Sequence, residues 1–363
     1  MIPTRLHGLI DYGVAAMLGG LATSRSLPPP VRGILATAGA YHTGYSVLTD
    51  YEAGLRPRLT MRQHLGLDAI GGAALLGAGL LMRRQPSEAR ALLIGLGLTE
   101  LAVVALSDDR PAAGPLLLAS EAPPGYPPLD LPKRVAEDVF IVDSLLPGPL
   151  GTELPVRMTV LRLPDGALLL HSPTRYSPAL AEALAALGPI RHFVAPNIAH
   201  WTFLRDWQRA FPEATTWAAP GLRQRGQVQR SGLRLDHDLG TTPPAAWGGA
   251  IGLVTVPGGL GFHEVALFHA ATRTLILTDL VLNLEAARLP ALLRPLARLF
   301  GSTAPDGMPP PYLRAVIRLR RRDAVRAAEQ LLALLPERVI FAHGQWFARD
   351  GAAALRHSLR WLL

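Results

Sequence analysis

The stretch Arg191-His192-Phe193-Val194-Ala195-Pro196-Asn197-Ile198-Ala199-His200 decides how the larger, C-terminal part of this chain reads. Arg191–Ala195 is a short apolar run with aromatic and β-branched residues, stopped by a proline, and reads as a buried strand. His200–Phe211 then reads as a helix. In α/β architectures polar side chains just past strand ends collect along one sheet edge, where active sites form. Working outward, Val156–Leu163 and Ala167–His171 are strands split by the turn Pro164-Asp165-Gly166. Ser177–Leu187 is a helix with Ser177 as N-cap and Pro178 at its first position. Thr215–Ala218, Ile251–Val256, Glu264–Phe268 and Arg273–Thr278 are strands, with Ala270-Ala271-Thr272 turning between the last two. Asp323–Leu335 is a helix, Arg338–Phe341 a buried strand and Gly351–Leu362 a closing helix. Hairpin-linked strands interleaved with helices predict an α/β sandwich of two sheets with helices outside.

Three polar residues follow strands in this pattern: His200, Asp279 after Thr274–Thr278, and His343 after Val339–Ala342. Two imidazoles and a carboxylate suit one divalent ion, zinc, iron or manganese, and three ligands leave a position open for water. Such a water attacks an ester, amide or phosphate. Asn197 and Glu264 are further candidate ligands, and Asp279 or Glu264 would accept the proton. On a strand His263 and Glu264 face opposite sides, so one of them alone reaches the site, and Glu264 is preferred. His269 reads as a turn or packing residue and His171, with Ser172-Pro173, as a neighbour of the ligands. Ser172 lacks nucleophile-elbow glycines, so a serine hydrolase is not expected.

From Pro155 to His343 the chain resembles the DUF4336 group, related to the metallo-β-lactamase superfamily. The resembling phrases are Arg157-Met158-Thr159-Val160, Leu170-His171-Ser172-Pro173, Val194-Ala195-Pro196-Asn197 with His200, Glu264 with His269, Thr274–Asp279, and Ala342-His343-Gly344. The resemblance implies a four-layer αβ/βα sandwich with metals at one end. It also exposes losses. The superfamily's His-x-His-x-Asp-His loop becomes Ala195, Asn197, Ala199 and His200, and its Pro-Gly-His becomes Pro257-Gly258-Gly259. A depleted, mononuclear site at His200, Asp279 and His343 is the expectation.

The chain of 363 residues is 49% hydrophobic and 18% charged, which excludes disorder and coiled coil and points to two domains. Cysteine is absent, which rules out disulfides and thiolate metal sites. The net charge of +8 comes from arginine, with Lys133 the only lysine, and without an aromatic-and-basic module no nucleic-acid partner is expected. The basic stretch from Arg314 to Arg326 reads either as a solvated helix face or as a contact for anionic lipid headgroups.

The apolar excess lies before Asp108. Leu6–Thr23, Arg32–Leu48, Leu65–Met82 and Ala91–Ser107 each run about 17–19 residues, near the lower limit for crossing a bilayer core of roughly 30 Å. Residues 1–110 therefore read as four short transmembrane helices, and no cleaved leader is expected. A buried bundle in a soluble protein is the alternative. His7-Gly8-Leu9-Ile10-Asp11 in the first helix is repeated as His64-Leu65-Gly66-Leu67-Asp68 in the third, which indicates two hairpins of one unit. His and Asp at i and i+4 share a helix face. With His42 and Glu100, the residues His7, Asp11, His64 and Asp68 form a candidate polar membrane site: a proton relay, a metal or haem site, or a headgroup pocket. Simple pairing that fixes helix packing is the bland alternative. This segment loosely resembles small bacterial four-helix membrane domains of the SPW-repeat kind.

Residues 111–134 hold seven prolines from Pro111 to Pro132 and read as an extended spacer before a domain at 135–363. The arginine distribution, with Lys133 and Arg134, slightly favours cytoplasmic termini. The expected protein is a bacterial-type inner-membrane protein in contact with the lipid bilayer, its C-terminal domain cytoplasmic. That domain acts as a metal-dependent hydrolase of an unnamed small molecule, or alternatively as a non-catalytic sensor or scaffold.

Overall fold

A computed structural model describes residues 2–111, 120–147 and 153–363. The chain divides into two compact units, residues 1–119 with two short excursions, and most of 120–363.

The first unit consists of helices α1 (Thr4–Ala22), α2 (Pro29–Leu48), α3 (Met61–Leu81) and α4 (Ser87–Leu106). Each begins two to four residues before its expected start, because Pro3, Pro28 and Pro86 sit at N-cap positions with a preset φ and Thr60 forms a capping box with Gln63. The helices pack as hairpins α1–α2 and α3–α4. Gly72 and Gly97 let α3 and α4 touch backbone to backbone, since a Cβ on Gly97 would lie 2.5 Å from the Gly72 carbonyl oxygen. Among the described residues, two of the four helices, α3 and α4, are long and apolar enough to cross a membrane. His7, Asp11, His42, His64, Asp68 and Glu100 are buried within the unit while Leu9, Ile70, Leu81, Leu98 and Leu106 are exposed.

The second unit is the expected α/β sandwich. One sheet has the order β1 (Pro132–Ala136), β2 (Val139–Pro147), β3 (Glu153–Arg162), β4 (Leu168–His171), β5 (Ile190–Ala195), β6 (Thr215–Ala218) and β7 (His237–Asp238). It is antiparallel through β4 and parallel from β4 to β7. The other contains β8 (Ile251–Pro257), β9 (His263–His269) and β10 (Thr274–Ile276), with β12 (Arg338–Ile340) parallel to β10. A two-stranded pair, β11 (Leu282–Asn283) with β13 (His343–Gly344), lies beyond β10 and β12 in the chain.

Strand alternation builds the layers. Val139, Ile141, Leu161, Leu169 and Val194 of the first sheet meet Ile251, Val265, Leu267, Ile276 and Ile340 of the second in the central core. The opposite face of the first sheet, through Phe140, Val142, Met158, Val160 and Phe193, packs on α5 (Pro178–Ala185), α6 (Leu204–Ala210) and α7 (Gly226–Ser231). The outer face of the second, through Val256, Ala266, Leu275 and Val339, packs on α9 (Pro311–Arg318), α10 (Arg321–Ala333) and α11 (Gly351–Ser358), while α8 (Arg294–Leu299) lies before α9. This is the αβ/βα arrangement the resemblance implies.

Two expectations are corrected here. Residues 120–134 are not a spacer: β1 pairs with β2, Lys133 Nζ lies 2.5 Å from Asp143, and Arg288 donates to the carbonyls of Pro123 and Gly125. Residues 112–119 of that stretch lie outside the described residues. The helix expected at His200–Phe211 begins only at Leu204, because Asn197 and its successors form a tight turn.

Candidate metal centre at the sheet edge

β5 ends at Ala195, and Asn197 organises the turn beyond it. Its Oδ1 accepts the amides of Ala199 (2.8 Å) and His200 (3.0 Å), which curls the chain so that His200 turns back over the strand end. Its Nδ2 donates to Asp279 Oδ2 at 2.8 Å and to Thr278 Oγ1 at 3.0 Å. Asn197 is thus fully engaged as a positioning group, and the expectation that it is a ligand is corrected.

Asp279 follows β10. The backbone there is held by Glu264 of β9, whose carboxylate accepts from Thr278 N (2.8 Å), Asp279 N (2.9 Å) and Leu280 N (3.2 Å). Glu264 is completely buried, accepts these three amides and lies outside the group formed by His200, Asp279 and His343, so its place in the structure is that of a positioning group rather than the expected ligand. Burial and the charge of Asp279 raise its pKa, and the three amides oppose the rise.

His200 Nε2 lies 3.2 Å and His343 Nε2 3.5 Å from Asp279 Oδ1. Each ring is fixed from behind: His200 Nδ1 lies 2.6 Å from Ser172 Oγ, and His343 Nδ1 donates to the Pro155 carbonyl at 2.9 Å. Burial would push the Asp279 carboxyl up, but His200, His343 and Asn197 outweigh it and hold the group well below the usual carboxylate range. Burial lowers His200, yet the charge and hydrogen bond of Asp279 leave it raised. Burial lowers His343, and Asp279 only partly offsets this.

These donors fit a metal. Two ring nitrogens with their opposite nitrogens occupied face one carboxylate oxygen, at separations close to the roughly 3.3–3.4 Å edge of a tetrahedron with bonds of about 2.0–2.1 Å. The three side chains open on a cavity of about 310 Å³ whose walls include Leu146, Leu154, Val156, Trp201, Phe203 and Tyr312. No arginine or lysine lines it among the described residues.

Two residues outside the ligand set support it, Ser172, which the sequence already placed with His171 beside the ligands, and Arg157, which it did not single out. Ser172 adopts φ 56°, a left-handed conformation unusual for serine, and this turn after β4 aims its hydroxyl at His200. Arg157 is buried on β3, pairs with Asp143 at 2.6 Å, and donates to the carbonyls of Phe341 and Gly344, one on each side of His343. For Arg157 the only sequence signal was membership of a resembling phrase. Burial and the charge of His200 push His171 down to about 3, so it stays neutral beside the site. His269 hydrogen-bonds Thr272 at its turn, away from the cluster. Arg318, Arg320 and Arg326 of the basic stretch are tied to Trp361 O and Asp323.

No curated protein matches the chain in sequence. Among solved structures, a metallo-β-lactamase from Hirschia baltica is similar at 14% identity and TM-score 0.44, covering 66% of this chain and 98% of its own. A metallo-β-lactamase from Pseudomonas aeruginosa in the mono-zinc form is similar at 13% identity and TM-score 0.44, covering 66% and 96%. One from Pontibacter korlensis stands at 17% and 0.41, covering 64% and 97%. Within the sandwich, residues 138–224, which run from β2 past β6 and include Asn197 and His200, carry the match to the family described as "Domain of unknown function (DUF4336)".

Proposed function

We propose that the sandwich is a metal-dependent hydrolase acting on carboxylic esters or amides with apolar acyl groups. The observation that carries this is the convergence of His200 Nε2 and His343 Nε2 on Asp279 Oδ1 at the mouth of an apolar cavity. His200, Asp279 and His343 would hold one divalent ion. Such an ion supplies Lewis acidity to a carbonyl oxygen and acidifies water. Asp279, kept ionised far below its ordinary range, contributes charge rather than basicity. Ser172 and Pro155 hold the two imidazoles in orientation, as outer partners of metal ligands do. Leu146, Leu154, Val156, Trp201 and Phe203 exclude water and receive an apolar group. With no arginine or lysine in the wall among the described residues, a phosphate monoester would find no cationic side chain to pair with beside the ion, which favours an acyl substrate.

The helical unit is read as a membrane anchor. Six ionisable side chains, His7, Asp11, His42, His64, Asp68 and Glu100, are buried in it while Ile70, Leu80, Leu81, Leu98 and Leu106 of α3 and α4 are exposed, and this supports lipid around those two helices.

The test is metal content and esterase activity of full-length protein in detergent, comparing wild type with Asp279→Asn and His343→Gln. One equivalent of ion lost in both variants, with hydrolysis of p-nitrophenyl butyrate exceeding that of p-nitrophenyl phosphate, is expected. Equal metal content in all three proteins would overturn the reading and leave a ligand-binding or scaffold domain.

A further inference from the structure

The helical unit contains a second convergence of donors, built by the repeat seen in the sequence. His7 and Asp11 of α1 meet His64 and Asp68 of α3, and all four are at most 3% exposed. His7 Nε2 lies 3.0 Å from Asp68 Oδ2 and 3.3 Å from Asp11 Oδ1. His64 Nε2 lies 3.1 Å from Asp11 Oδ2 and 3.2 Å from Asp68 Oδ2. The two Nε2 atoms are 3.1 Å apart. One ligand atom from each of the four residues lies within 4.8 Å of all the others, close enough for a single ion to draw them together.

The surrounding hydroxyls assign the ring protons. Ser107 Oγ donates its single hydrogen to the Val103 carbonyl at 2.7 Å, so it accepts from His7 Nδ1 at 2.6 Å. Thr49 Oγ1 donates to the Tyr45 carbonyl at 2.7 Å, so it accepts from His64 Nδ1 at 2.8 Å. With both Nδ1 atoms protonated, the two Nε2 atoms face each other as lone pairs if the rings are neutral. If both rings are cations, like-charged N–H groups oppose each other at 3.1 Å. A single shared proton satisfies the nitrogens but leaves two carboxylates against one positive charge in a dry site, which is costly. A divalent ion removes all three conflicts and balances the two carboxylates.

The carboxylates are also held from outside. Tyr51 donates to Asp11 Oδ2 at 2.9 Å and Tyr45 donates to Asp68 Oδ1. Every one of the four side chains therefore has an outer partner that fixes its orientation, the pattern of a built metal site. A cavity of about 60 Å³, with Asp11, His42, Asp68 and Glu100 in its wall, adjoins the quartet.

We infer that His7, Asp11, His64 and Asp68 form a four-coordinate divalent metal site of the zinc type inside the helical unit, with Ser107, Thr49, Tyr45 and Tyr51 as its outer partners. The site ties α1 to α3 and stands independently of the sheet-edge centre.

The test uses full-length protein in detergent carrying Asp279→Asn and His343→Gln, which disables the sheet-edge centre. After chelator treatment it is titrated with Co²⁺. One equivalent bound with the visible bands of a four-coordinate ion, displaced by Zn²⁺, is the expected result. Adding Asp68→Asn abolishes the bands, and adding Ser107→Ala, which keeps all four ligands, weakens Co²⁺ binding about 10- to 100-fold. Protein that keeps wild-type helical circular dichroism but shows no Co²⁺ bands overturns the inference, as do bands unchanged in folded Asp68→Asn protein. Failure of the sheet-edge reading appears separately, as metal content unaltered by the Asp279 and His343 changes alone.

Discussion

Asn197 Nδ2 donates to Asp279 Oδ2 at 2.8 Å, joining the loop after β5 in one sheet to the loop after β10 in the other. Because Asn197 Oδ1 also accepts the His200 amide, one side chain sets both the imidazole and the carboxylate of the candidate centre.

Asn197→Ala removes this link while leaving every proposed ligand in place. Weaker metal binding by about 10- to 100-fold is expected, measured by Co²⁺ titration, because outer partners fix ligand orientation. Stability should fall by about 1–3 kcal/mol, since buried amides of the turn lose their acceptor.

Glu264→Gln separates a structural carboxylate from a ligand. Its oxygens serve three backbone amides, and a side-chain NH₂ in that nest meets N–H groups instead of an acceptor. Urea denaturation should show a loss of about 1–3 kcal/mol with metal stoichiometry unchanged.

Arg157→Met leaves Asp143 buried with Lys133 alone and frees the carbonyls of Phe341 and Gly344. A loss of roughly 3–5 kcal/mol is expected from breaking a buried pair on one side only. Adding Asp143→Leu should restore part of it, read as a double-mutant cycle in urea.

Gly344→Ala tests the seat of His343. Gly344 has φ 96°, and a Cβ would lie 2.1 Å from the Asn283 carbonyl oxygen, so the loop must shift. A lower melting temperature together with weakened metal binding is expected; a change in neither would show that the loop absorbs the methyl.

The metal-free centre has a defined pH signature. Asp279 is lowered, so its contribution is present above its unfolded pKa of about 3.9 and disappears as pH falls through the folded value. His200 is raised, so its contribution is full below about 6.5 and disappears as pH rises through the folded value. The stability difference between wild type and Asp279→Asn, measured in chelator, should therefore be largest at about pH 5 and smaller at about pH 8. Metal binding runs the other way and tightens with rising pH, because the ion competes with the proton on His200.

Local chemistry in the sequence determined the elements and several of their ends. The apolar run Arg191–Ala195, the Ser177 cap and the Pro164-Asp165-Gly166 turn act within a few residues, and β5, α5 and the β3–β4 hairpin formed where they indicate. The repeated His-x-x-x-Asp likewise carries its own geometry, because positions four apart share a helix face. That His200, Asp279 and His343 follow strands was equally legible, although they are spread over more than a hundred residues of chain.

The tertiary structure alone decided which oxygen and nitrogen atoms are free. Glu264 looked like a ligand until the turn after β10 folded its three amides onto the carboxylate, and Asn197 until its amide bridged the two sheets. The left-handed turn at Ser172 and the reach of Arg157 to residues flanking His343 depend on contacts up to 187 positions apart. A residue's type states what it is able to bond; the packing of distant backbone around it determines which of those bonds are already made, and so what remains for a metal or a substrate.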